Sequence, residues 1–210
     1  MGYNVFSLFP SPKPPSHRFI QRFPNGLFNM VHHHAKSKFI PLRIAVMTVS
    51  DSRTEVNDTS GKTLVDKLTA AGHQLAEKRI VPDDIYDMRA VVSGWIADPD
   101  VSVVISTGGT GLTGRDSTPE AMKPLYDKEI KGFGELFRHL SYAEISTSTI
   151  QSRAIAGIAN GTVLFSLPGS SGACRTGWDQ IIMHQLDGNY RPCNLIEIMP
   201  RMMEHLRSES

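Results

Sequence analysis

Apolar positions alternate between short unbroken runs and longer stretches with one apolar residue every three or four. The run Arg43–Val49, rich in β-branched residues, predicts a strand buried on both faces. Ser50–Arg53 breaks it, and a polar loop follows through Asp58–Gly61. Leu64, Leu68 and Ala71 then fall at helical spacing, with Gly72 as a stop. Gln74–Val81 predicts a second strand, and Pro82–Asp84 turns into a helix carrying Ile85, Met88, Val92 and Ile96 on one face. Val101–Ser106 predicts a third strand ending in Thr107–Gly111. Thr118, Pro119 and Glu120 read as a helix start, with a capping hydroxyl, a proline at the first position and an acid in the first turn. Further helices are predicted from Gly132 to about Glu144 and from Ser152 to Asn160. Thr162–Leu167 is the last strong strand, and after Pro168–Gly172 a helix runs to about Leu186.

Strands alternating with helices predict an α/β fold, with a mostly parallel sheet covered on both faces. Ligands of such sheets bind outside the carboxyl ends of the strands. Three of those ends, at residues 50–61, 107–116 and 168–172, are rich in Gly, Ser, Thr and Asp. Turns favour these residues anyway. Three such loops on one rim favour a phosphate or nucleotide site.

Composition narrows the classes. The chain has 210 residues, 40% hydrophobic and 20% charged, with a net charge of +1. That is a globular composition, and its global charge gives no reason to expect nucleic acid as a partner. No uncharged apolar run approaches the ~18 residues of a membrane span. Cys174 and Cys193 make neither a disulfide framework nor a Cys-x-x-Cys pair, and His73, His139 and His184 show no zinc-ligand spacing with either.

The first 40 residues stand apart. They hold five basic and no acidic side chains, five of the 13 prolines and six of the nine Phe. Periodic structure starts only near Phe39. The expected organisation is therefore a disordered leader over 1–38, one domain over 39–200 and a tail over 201–210. A start at Met30 and a transit peptide are alternative readings of the leader. His32–His34 reads either as metal ligands or as a solvated run. Deleting residues 1–38 is expected to leave oligomer mass and thermal midpoint almost unchanged. A large drop in either would make the leader structural.

Two familiar phosphate motifs fail. Gly61–Thr63 resembles the end of a P-loop, but Val56 stands where that motif needs glycine. Gly109, Gly111 and Gly114 match the dinucleotide spacing, but that fingerprint opens its helix directly, and here Arg115–Thr118 intervene. What remains is a glycine loop followed by Asp116. Glycines let backbone N–H groups approach phosphate oxygens closely. A carboxylate beside them suits a divalent cation shared with phosphates. The competing reading is that Asp116 caps the next helix.

These motifs resemble the MoaB/MogA family of molybdenum cofactor biosynthesis proteins, over about Phe39–Pro192. The matching stretches are Thr48–Arg53, Asp58–Gly61, Ser106–Leu112, Arg115–Glu120, Gly132–Glu135, Ser152–Ala154 and Leu167–Ser170. Cys174–Arg175 and Arg191–Cys193 are similar to the MoaB branch. The resemblance implies a three-layer α/β/α sandwich, cytoplasmic, assembling as a homotrimer or homohexamer and working with other proteins of the pathway. It implies binding of molybdopterin, a pterin with a dithiolene and a terminal phosphate, and adenylylation of that phosphate with Mg-ATP. Pro82–Asp83 and Arg115–Asp116 match the two aspartate motifs of catalytically active members.

The resemblance assigns roles residue by residue. Gly108, Gly109, Thr110 and Gly111 would hold phosphates by backbone N–H, and Asp116 would help hold Mg²⁺. Asp83 would position the pterin phosphate or support the metal; by pattern alone it is equally an acid at a helix N-terminus. Ser50 and Asp51 would line the floor, and Pro168, Gly169 and Ser170 the nucleotide side. Asp58, Ser60, Gly61 and Glu135 complete the expected binding set. Arg115 would neutralise charge or stand solvated. Two rivals remain: a molybdopterin carrier without chemistry, and an assembly or regulatory protein with a vestigial site.

Overall fold

A computed structural model describes residues 39–204. The readings of the leader, including Met30 and His32–His34, lie outside the described residues.

Among the described residues six strands form one sheet, in the order β2-β1-β3-β6-β5-β4. β1 (Arg43–Val49), β2 (Gln74–Val81), β3 (Val103–Thr107) and β6 (Thr162–Leu167) are parallel. β5 (Ile155–Ala159) runs antiparallel to β6, and β4 (Lys128–Glu129) antiparallel to β5. Every residue of β3 and β6 is buried, as is β1 after Arg43. This is why the strands read as continuous apolar runs.

The pleat sorts alternate side chains into two cores. Ile44, Val46, Val103, Ile105, Val163 and Phe165 face one way. There they meet α1 (Thr59–Ala70) through Leu64 and Leu68, α4 (Lys131–Ile145) through Phe133 and Phe137, and α5 (Ser171–Gly177) through Cys174. α5 continues through a π turn at Trp178–Ile182 into α6 (Met183–Gln185). Ala45, Met47, Val104 and Leu164 face the other way, against Met88, Val92 and Trp95 of α2 (Ile85–Ala97) and Ala121 and Met122 of α3 (Thr118–Met122). The result is the expected three-layer sandwich.

Within the stretch 152–160, expected to be helical, Ile155–Ala159 is instead the strand β5. It is joined to β6 by Asn160 (φ 46°) and Gly161 (φ 81°). Two consecutive residues at positive φ make the tight turn that matches strand twist, and Asn-Gly is its strongest short signal. Ala and Gly in Ile155–Ala159 mislead by helix propensity, but here they are small for packing. A Cβ on Gly157 would lie 2.3 Å from the Tyr126 ring. β4, at two residues, leaves no pattern in the sequence.

The start of α3 also differs from expectation. Ser117 occupies the cap position without a capping side-chain bond. The Thr118 hydroxyl turns away from the helix and donates to the Gly108 carbonyl at 2.9 Å.

Strand order places the site. From β1 the chain crosses to β2 on one side, then returns to β3 on the other. The crevice between β1 and β3 is therefore the switch point at which open α/β sheets bind ligands. The loops after β1, β2, β3 and β6 all leave at this rim.

Candidate functional site

Between the ends of β1, β3 and β6 and the C-terminal half of α4 lies a cavity of about 620 Å³. Of the residues singled out in the sequence, Ser50, Ser60, Gly108, Gly109, Thr110, Gly111, Asp116, Pro168, Gly169 and Ser170 line it. Asp51, Asp58, Gly61, Asp83, Arg115 and Glu135 do not.

The glycine loop has a distinct front and back. Gly108 (φ 106°) and Gly109 (φ 61°) take backbone conformations that side chains rarely adopt. A Cβ on Gly108 would also lie 2.2 Å from the Val49 carbonyl oxygen. All four loop carbonyls are bonded on the back. Gly108 O accepts from the Thr118 hydroxyl and Gly109 O from the Thr118 backbone N–H, both at 2.9 Å. Thr110 O accepts from the Arg153 backbone N–H at 3.2 Å, and Gly111 O from Arg153 Nε at 2.7 Å. Of the four N–H groups expected to hold phosphate, those of Gly109 and Thr110 have no partner among the described residues, but Gly108 N–H donates to the Leu167 carbonyl at 3.0 Å and Gly111 N–H to the Asp116 carboxylate. A loop with its carbonyls turned back and two adjacent N–H groups unpaired at a cavity is an anion cradle.

Thr110 adds a hydroxyl on the cavity side, and no protein group bonds it among the described residues. A hydrogen bond to a charged group typically contributes about 1.5–3 kcal/mol. Thr110→Val is therefore expected to weaken nucleotide or pterin binding by roughly 10–100-fold with stability held. Calorimetric titration checks it. Unchanged affinity for both ligands would count against the loop as a cradle.

Two carboxylates flank the loop. A Cβ on Gly111 would lie 2.8 Å from an Asp116 carboxylate oxygen, and one on Gly109 2.8 Å from Asp83. Asp116 Oδ2 accepts from the Thr113 hydroxyl (2.6 Å) and backbone N–H (2.9 Å), closing a turn and not capping a helix. Those bonds, against a smaller effect of burial, hold its carboxyl below the usual aspartate range. Asp83 is no helix cap either: Asp84 caps α2, accepting from the N–H groups of Tyr86 and Asp87. Burial, then the charges of Asp51 and Asp116, push the Asp83 carboxyl up. Asp51 holds Arg115 through both carboxylate oxygens, with contacts of 2.6–2.9 Å, and accepts from the Asp83 N–H at 3.1 Å. Arg115 is thus paired, neither free for phosphate nor simply solvated, and it ties the loop after β3 to the loop after β1.

Asp58 and Gly61 are structural. The Asp58 side chain is fully buried. It accepts from Gly61 N–H and from the Thr48 hydroxyl, both at 2.9 Å, and pairs with Lys78 at 2.9 Å. A Cβ on Gly61 would lie 2.2 Å from that carboxylate. Ser170 caps α5, accepting from Ala173 N–H, while its residue still borders the cavity. Glu135 faces a second cavity, of about 460 Å³, which it shares with Glu120, Ser152 and Arg153.

The far wall escaped sequence reasoning. Phe137, Ser141, Glu144 and Ile145 of α4 line it, with Ser148, Gln151 and Thr176. Ser141 was legible: it continues the stripe Phe133–Phe137 at i+4, and a buried hydroxyl there departs from an apolar face. Among the described residues Arg53 is the only cationic side chain lining the cavity, against the carboxylates of Asp116 and Glu144. A polyphosphate would therefore bring more negative charge than the lining neutralises. No cluster of three or more His, Cys, Asp or Glu among the described residues is placed to hold a metal alone. Asp116 and Asp83, whose charges already repel, do fit a Mg²⁺ that phosphate oxygens share.

Residues 45–188 match the family model described as "Probable molybdopterin binding domain". Molybdenum cofactor biosynthesis protein B of Escherichia coli K12 is 57% identical over 158 residues, which is 75% of this chain and 93% of that protein. A crystal structure of a molybdenum cofactor biosynthesis protein B superposes with a TM-score of 0.72 at 41% identity, covering 80% of this chain and 99% of the other. The tungsten cofactor synthesizing protein MoaB of Pyrococcus furiosus gives 0.62 at 35% identity, covering 80% and 98%.

Proposed function

Because the chain belongs to the family of molybdenum cofactor biosynthesis protein B and carries its molybdopterin-binding domain, we propose that it adenylylates molybdopterin with Mg-ATP. The observation that carries this reading is the glycine loop, with four carbonyls bonded behind it, the unpaired N–H groups of Gly109 and Thr110 in front and a carboxylate on each side.

An oxygen of the molybdopterin terminal phosphate attacks the α-phosphorus of ATP. The bond from that phosphorus to the bridging oxygen breaks, and pyrophosphate leaves with the electron pair. The nucleophile is already anionic, so no side chain has to remove a proton. The protein positions the two substrates and offsets charge on the transferred group. Holding both reactants in line lowers the barrier by about 7–11 kcal/mol. Gly109 and Thr110 supply N–H donors to phosphate oxygens, and Arg53 adds charge at the mouth. Asp116, kept ionised by Thr113, and Asp83 would hold Mg²⁺, which neutralises phosphate charge when bound.

The reading extends to a homotrimer or homohexamer. Leu136, Tyr142 and Ile145 of α4 and Ile150 after it are exposed apolar side chains that a second copy would cover. The test of the activity is pyrophosphate release from Mg-ATP. Release that requires molybdopterin is the expected result. Molybdopterin binding without release would move the protein to the carrier reading, and absence of specific binding to the assembly or regulatory reading.

A further inference from the structure

The back of the glycine loop rests on two residues, and one of them does more than a loop contact requires. Arg153 takes Thr110 O with its backbone N–H and Gly111 O with Nε. Its Nη2 donates to the Asp116 carbonyl at 2.8 Å, and its Nη1 pairs with the Glu120 carboxylate. Glu120 lies in α3, two residues past Thr118, which takes the other two loop carbonyls. Loop, Arg153, Glu120 and Thr118 form a closed ring of contacts. Both members of the ion pair line the second cavity, behind the loop, and neither lines the main one. Arg153 therefore acts on the loop and not on a phosphate.

Gly111, without a side chain, lets the peptides on either side of it turn over at little steric cost. Turning the Thr110–Gly111 peptide over would take the Gly111 N–H off the Asp116 carboxylate and put a carbonyl oxygen in its place. A guanidinium is a rigid planar fork whose donors fix several acceptors at once, which an ammonium cannot match. Here the fork holds Gly111 O and Asp116 O, the two ends of the turn that carries the Asp116 carboxylate.

We infer that Arg153, held by Glu120, is a positioning residue for adenylyl transfer, fixing the peptides on either side of Gly111 and through them the place of the Asp116 carboxylate before substrates arrive. The inference rests on the adenylyltransferase reading. A displacement of about 1 Å at a reacting group costs on the order of 100-fold in rate. Arg153→Lys, which keeps the charge but not the fork, is accordingly expected to lower kcat about 100-fold. It is also expected to raise the Mg²⁺ concentration needed for half-maximal rate and to leave the KM for molybdopterin unchanged. Glu120→Gln should do the same to a smaller extent, and the double variant should be no worse than Arg153→Lys alone, because the two act as one unit.

A second readout needs no turnover. The Asp116 and Thr118 amides are bonded back into the loop, to Thr113 O and Gly109 O. In Arg153→Lys their hydrogen exchange should speed up about tenfold, while amides of β1 and β6 stay protected. Unchanged exchange at these two amides overturns the inference whatever the activity does. Faster exchange with unchanged kcat and Mg²⁺ requirement overturns it too, because the brace would then be structural only. If the full-length wild type shows no turnover, the adenylyltransferase reading fails by itself. Mg-ATP affinity then decides: a tenfold loss in Arg153→Lys upholds positioning, and unchanged affinity overturns it.

Discussion

Asp116→Asn is expected to cut formation of adenylylated molybdopterin by roughly 10²–10³-fold, about 3–4 kcal/mol of transition-state stabilisation. The asparagine amide oxygen can still accept from the Thr113 hydroxyl and N–H, which lie 2.6 and 2.9 Å from the native carboxylate. The turn should therefore survive and the thermal midpoint hold. What disappears is a charge beside the cradle that its surroundings keep ionised. The residual rate should need more Mg²⁺, and molybdopterin binding without ATP should change little. Asp83→Asn should also slow the reaction, and the double variant should be worse by less than the product of the singles. Unchanged turnover in Asp116→Asn would overturn its assignment to the metal.

The second large effect concerns stability and falls on a residue that sequence reasoning placed among the ligands. Asp58→Ala removes the cap of α1 and one partner of Lys78, whose side chain is only 16% exposed. Breaking a buried ion pair from one side costs about 3–5 kcal/mol. Lys78 keeps Glu55 at 2.6 Å, so the lower end, about 3 kcal/mol, is expected. For a chain of this size that lowers the thermal midpoint by about 6–12 °C. Burial pushes the Asp58 carboxyl up, but Lys78, Gly61 and Thr48 together outweigh it and hold the carboxyl below its ordinary value of 3.8. The unfolded chain therefore takes up this proton first. The stabilisation is complete above about pH 4 and is lost as the pH falls through the lower, folded value. Asp58→Ala should lose that part of the acid sensitivity. A midpoint within 2 °C of wild type would contradict the structural role.

The two residues show where the sequence is informative. Buried parallel strands write themselves as apolar runs, so β1, β3 and β6, and hence the rim of the site, were legible. Loop composition at that rim singled out Gly108–Gly111 and Asp116. It could not separate Asp116, turned toward the cavity, from Asp58, turned into the protein, because both are acids beside glycine and hydroxyl residues. The difference lies in Lys78, 20 residues on in β2, which reaches Asp58 only once the sheet has formed. The same holds for Glu120 and Arg153. They sit in two motifs that match the family separately, and only the fold shows them to be one ion pair. β5 was misread because Ala and Gly favour no strand on their own. The signal that marks it is Asn160-Gly161, which lies at its end.

Phosphate is proposed to bind the N–H edge of the glycine loop, at Gly109 and Thr110. The most direct measurement is a crystal structure of the full chain with Mg²⁺ and a non-hydrolysable ATP analogue. The expected result is a phosphate oxygen within hydrogen-bond distance of both the Gly109 and Thr110 N–H groups, with Mg²⁺ between the phosphates and Asp116. A nucleotide bound elsewhere, or those two N–H groups still without a ligand at saturation, would contradict it.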